Sequence, residues 1–118
     1  MRWLPLMLFT VGCSSAGTYY DLALAPNPDP FVAGEEISLD IEISSIATGE
    51  MVTGATVTAE PWMPDMGHGT SGAVTVTELG DGLYQGVWTF SMAGTWDVTL
   101  GIDGDEGFQE TLVSFDVQ

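Results

Sequence analysis

Two methionines and the only histidine of the chain fall within six positions, in the run Trp62-Met63-Pro64-Asp65-Met66-Gly67-His68-Gly69. A thioether sulfur is a soft, neutral donor that stays available at any ordinary pH, and imidazole is of intermediate softness. That donor set suits Cu(I). It suits Zn(II), Ca(II) and Mg(II) much less, because those ions prefer harder or anionic ligands. Pro64 stiffens the turn, while Gly67 and Gly69 let the backbone fold tightly enough for Met63, Met66 and His68 to converge. Met92, in Phe90-Ser91-Met92-Ala93-Gly94, is a fourth donor if both loops lie at the same end of the fold. Asp65 and Glu60 offer oxygen for Cu(II), and Trp62 is placed to shield the site or lean its ring on a bound cation. Protonation of the imidazole competes with the metal, so affinity falls as pH drops through the ordinary imidazole range. The competing account makes the methionines flexible gap-fillers or a contact surface, and His68 a solvated turn residue.

Other chemistry is poorly supplied. The 118 residues carry 17 Asp and Glu against a single Lys or Arg, a formal net charge of -16, and that one base is Arg2. Nothing after it neutralises phosphates, which excludes electrostatic nucleic-acid binding and a basic membrane-surface patch. A P-loop lysine, an arginine finger and a Schiff-base lysine are excluded on the same count. One Cys and one His are too few for a structural zinc site built only of those residues. No Gly-x-Ser-x-Gly elbow is present, and no spacing singles out two carboxylates for acid–base work. Asp103, Asp105 and Glu106 lack the spacing of an EF-hand loop and read as an acidic turn. A binding role, not an enzymatic one, is the expectation.

The first residues read as a targeting segment. Arg2 precedes the short apolar run Trp3–Phe9, and small residues, Val11 and Gly12, stand before Cys13. This is the layout of a bacterial lipoprotein signal, residues 1–12, with Cys13 the lipidated residue, although Thr10 stands where that pattern usually has Leu. The run is far short of the roughly 20 residues a spanning helix needs. Residues 13–17 form a tether, and residues 18–118 the domain. The expected location is extracytoplasmic, anchored by lipid to a bacterial membrane: the outer membrane facing the periplasm, or the cell surface. The high negative charge keeps the domain soluble and is best tolerated where salt screens it.

Positioning those donors requires elements with a period of two. Ile37, Leu39, Ile41 and Ile43 alternate with Ser38, Asp40, Glu42 and Ser44, and Val57 and Ala59 with Thr56, Thr58 and Glu60. Val74 and Val76 form a third set. Tyr84, Gly86, Trp88 and Phe90 share a face, as do Trp96, Val98, Leu100 and Ile102, then Val113, Phe115 and Val117. A first strand near residues 18–25 offers Tyr20, Leu22 and Leu24. Turn signals separate these runs at 26–30, 47–50, 80–82, 93–94 and 103–107. About seven short antiparallel strands without helical periodicity predict an all-β, immunoglobulin-like or cupredoxin-like sandwich. Residues 62–69 are expected to be a loop, since Pro64, Gly67 and Gly69 break the strand that ends near Glu60.

Met63-Pro64-Asp65-Met66-Gly67-His68-Gly69, with Val52-Thr53-Gly54-Ala55-Thr56-Val57 before it, resembles the YtkA-like domain, a relative of the FixH family. So do Leu79-Gly80-Asp81-Gly82-Leu83-Tyr84-Gln85-Gly86 and Met92-Ala93-Gly94-Thr95-Trp96-Asp97-Val98, and the resemblance covers roughly residues 27–117. It implies a small extracytoplasmic β-sandwich, often lipid-anchored, associated with copper handling and respiratory-oxidase assembly. It also implies Met63, Met66 and His68 as copper ligands, and an oxidase subunit or efflux component as the acceptor. A more distant resemblance is to periplasmic copper carriers that use Met and His on a sandwich, whose second His has no counterpart here. The alternative is a metal-free structural or protein-interaction sandwich.

Overall fold

The computed structural model describes residues 18–64, 68–69 and 74–118. The expected signal, residues 1–12, the tether with Cys13, and Met66 lie outside the described residues. The described residues form eight strands: β1 (Tyr20–Asn27), β2 (Glu36–Ser45), β3 (Thr56–Met63), β4 (His68–Gly69), β5 (Val74–Gly80), β6 (Leu83–Thr89), β7 (Gly94–Gly104) and β8 (Gly107–Val117). Seven are full strands and β4 is a two-residue segment, so the all-β expectation is met.

Alternation decides which side of each strand is buried. Along β2, Ile37, Leu39, Ile41 and Ile43 are buried; along β7, so are Trp96, Val98, Leu100 and Ile102. All pairings are antiparallel, in the order β1-β2-β6-β5-β3-β7-β8, with β4 on β3. β5 pairs with β6 from Val76 onward and with β3 over Val74–Val76, carrying the sheet round from β1-β2-β6 to β3-β7-β8. The inward residues of both halves meet in one core.

Without a full ladder, β8 is tied to β1 at one end and to the β1–β2 connection at the other. At one end Gln109 Oε1 accepts from the Tyr19 and Tyr20 N–H groups, both at 2.9 Å, and Gln109 Nε2 donates to the Tyr20 carbonyl at 3.2 Å. At the other, Ala33 N–H donates to the Gln118 carbonyl and Gln118 N–H to the Phe31 carbonyl. Bridging protects edges that would otherwise present unpaired backbone groups.

Three boundaries differ from expectation. β1 runs to Asn27 and takes in Pro26, leaving residues 28–30 as the turn. β8 begins at Gly107, several residues before Val113, and its first inward side chains are the buried Gln109 and Thr111. Their polarity hides the strand from a hydrophobic pattern. β3 continues past Glu60 through Pro61 and Trp62 to Met63, because Pro61 and Met63 keep the inward alternation and their burial outweighs proline's poor strand propensity.

Candidate metal centre

Both flanks of the segment expected to be one loop are paired strand: β3 runs to Met63, and β4 is His68–Gly69. Residue 68 stands opposite Met63 in the β3–β4 register, and Gly69 opposite Trp62, with four residues between Met63 and His68. Directly opposed positions are the closest that neighbouring strands offer. Strand pairing thus brings positions 63 and 68 together, and residues 65–67 of the expected turn lie outside the described residues.

The second loop arrives at the same end. β3 pairs with β7 so that Trp62 faces Asp97, which places the start of β7 beside the end of β3. Gly94 opens β7 with φ +137°, a conformation L side chains rarely adopt, and the Met63 methyl lies where a Cβ on Gly94 would stand. Gly94 is therefore the seat of the Met63 side chain. Met92 precedes it by two residues, and its carbonyl accepts a 2.9 Å hydrogen bond from Trp96 Nε1, which ties the turn to the core. Met92, two residues before β7, thus lies at the end of the fold where β3 finishes.

The side chains occupy different settings. Met63 is 5% exposed and belongs to the core, whereas Met92 is 38% exposed. The same core holds a group of mutually tilted rings: Phe90 lies 5.0 Å from Trp96 and 5.4 Å from Phe31, and Phe31 lies 5.0 Å from Phe115, centroid to centroid. Trp88 meets Phe90 edge-on at 5.6 Å, and its buried Nε1 has no hydrogen-bond partner among the described residues. The surroundings of Met63 are thus apolar and aromatic, a setting that disfavours a hard, strongly hydrated ion. Trp62 is exposed on the outer side of β3.

Among the described residues, no three His, Cys, Asp or Glu side chains gather as a metal group. The acidic turn after β7 fits its plain reading: Glu106 receives the Ser45 hydroxyl at 2.9 and 2.8 Å. Sequence reasoning missed the role of Gly94, whose only trace in the sequence is a glycine just before a strand. It also missed the buried polar set at the far end, Gln109, Thr111 and Ser45.

The model of the YtkA-like family matches residues 14–101, most of the chain. The chain belongs to the YtkA-like family. No curated protein matches it significantly. The YtkA-like match spans β1 to most of β7, and so includes the Met63–His68 pair and the Met92 turn, while β8 and its Gln109 lie beyond it. Among the described residues no helix is long and apolar enough to cross a membrane.

Proposed function

We propose that this YtkA-like domain binds copper as cargo, preferentially Cu(I), with Met63, Met66 and His68 as ligands and Met92 as a fourth. On this reading it is not an enzyme. It is held extracytoplasmically by a lipid on Cys13, its only attachment to the membrane, and passes the ion to an oxidase subunit or efflux component. The observation that carries the reading is the meeting of position 63, position 68 and the Met92 turn at one end of the domain. Neutral thioethers hold a soft monovalent ion while leaving hard ions unsatisfied, and they exchange readily with an incoming thiolate. With no cluster of carboxylates, Cys or His among the described residues, the thioethers are the donors on which selectivity rests.

X-ray absorption of the Cu(I)-loaded domain tests the ligand set. Sulfur scatterers at a distance close to the ~2.3 Å of zinc–thiolate bonds, together with imidazole, are expected. A shell of only oxygen or nitrogen would end the proposal. A metal-free interaction module is the second reading, and one observation favours it: Met63 is buried and packed on Gly94, as a structural core residue would be.

A further inference from the structure

The outer face of β3-β7-β8 is unlike that of β1-β2-β6. Strand register sets its positions in rows: Thr56, Asp103, Phe108; then Thr58, Gly101, Glu110; then Glu60, Thr99, Leu112; then Trp62, Asp97, Ser114. Three large apolar side chains stand out from these rows, Trp62 at 47%, Phe108 at 57% and Leu112 at 59% exposure. In β1, β2 and β6 together only Val87 is comparably exposed; that face is acidic too, with Asp21, Glu36, Asp40 and Glu42 outward, and the difference lies in the large apolar side chains. The Phe108 ring leans over Gly101, its Cε1 and Cζ lying 3.6 and 3.7 Å from where a Cβ would stand. That glycine keeps the middle of the face low between raised apolar groups. Phe108 and Leu112, four residues apart on one strand, are about 13 Å apart along it.

Five carboxylates share the face: Glu60, Asp97, Asp103, Glu110 and Asp116. Asp97 accepts from Ser114 Oγ at 2.6 Å and Asp116 from Thr95 Oγ1 at 3.0 Å, both neutral donors. Not one Lys or Arg occurs among the described residues, so none of the five is neutralised by either. Isolated exposed apolar residues on a surface are ordinary. Three of them interleaved with uncompensated carboxylates on one sheet face are a pattern with a definite complement.

We infer that this face docks an extended protein segment that presents Lys or Arg and apolar side chains together on one side. Cationic heads meet the carboxylates while their methylene stems and the apolar residues lie on Trp62, Phe108 and Leu112, with cation–π contact at the two rings. Charge selects this occupant over others. A second copy would set carboxylates against carboxylates, and an anionic bilayer would repel the face. The inference is independent of copper.

Fluorescence anisotropy of a labelled Lys-Lys-Leu-Leu repeat peptide, whose extended form carries both residue types on each side, with the metal-free domain at physiological ionic strength, provides the test. Trp62→Ser, Phe108→Ser and Leu112→Ser together leave the net charge unchanged and are expected to weaken binding at least about tenfold, the size of a hot-spot loss. The control pair Leu79→Ser and Val87→Ser is expected to leave it unchanged, and a Lys-Lys-Ser-Ser repeat of equal charge to bind more weakly. Leu112→Ser alone, at the most exposed position, keeps the test valid should the triple variant melt. Equal weakening by site and control variants, equal binding of both peptides, or no saturable binding overturns the inference. So does a dimer in sedimentation that the same serine substitutions dissolve, which would assign the face to a second copy.

Discussion

The two ends of this domain are closed by different chemistry. At the end holding Tyr20, Ser45 and the β7–β8 turn, polar groups do the work. Gln109 makes four hydrogen bonds, Tyr20 donates to the Gly107 carbonyl at 2.8 Å, and Tyr84 bridges the Val52 carbonyl and the Ala55 N–H. At the end holding Met63, Gly94 and Met92, closure rests on rings and thioethers: Phe31, Phe90, Trp96 and Phe115 pack together, with Met63 laid on Gly94. Directional bonds lock a geometry, because a half-satisfied buried polar group is costly. Dispersion contacts around flexible Met side chains tolerate rearrangement. An end that must accept and release a soft ion is better built in the second way, and the first serves as the anchor.

The sharpest way to break this contrast is to remove the ring on which the soft end rests. Trp96 is fully buried against Phe90. Trp96→Ala is expected to cost about 3–5 kcal/mol in urea unfolding; a loss below about 1 kcal/mol would show that the aromatic group is not structural. At the other end, Gln109→Ala strands the Tyr19 and Tyr20 N–H groups, with an expected cost of about 3 kcal/mol. Copper affinity should not change in that variant, and a drop would mean that the ends are coupled.

Gly94→Ala places a methyl on the Met63 side chain in a strained backbone conformation and should cost about 2 kcal/mol. Combined with Met63→Ala, the total should fall short of the sum of the single effects, as contact requires. Strict additivity would separate the two residues. The smallest effect concerns pH. Burial pushes the Tyr84 phenol above its ordinary value of 10.0, helped by Glu78 and Tyr20 and opposed by the Ala55 N–H. A group that binds its proton more tightly when folded contributes stability present below about pH 10 and lost as pH rises through its folded value. Tyr84→Phe should cost about 1 kcal/mol at neutral pH and flatten that alkaline decline. An unchanged decline would remove Tyr84 as its source.

How legible each end was in the sequence follows the same division. Strands with a clean alternation, such as Ile37–Ile43 and Trp96–Ile102, announce themselves because burial imposes a period of two. The Asp81-Gly82 turn does too, since Asp81 at φ 53° and Gly82 at φ 84° are the residues such a turn accepts. Gln109 and Thr111 point inward yet are polar, so the start of β8 has no hydrophobic signature; the Tyr19 and Tyr20 groups that Gln109 binds lie some 90 positions away, and Thr111 accepts from Gln109 itself. The Met63–His68 run stood out through its residue types. That its two ends pair, with Met63 seated on Gly94, depends on the β3–β7 register, which no local pattern encodes.

Titration of the metal-free domain with Cu(I) against a colorimetric chelator bears most directly on the central claim. The account predicts one saturable equivalent in the wild type, lost when Met63→Leu, Met66→Leu and His68→Ala are made together. Equal uptake by that variant, or no saturable uptake by the wild type, would contradict it.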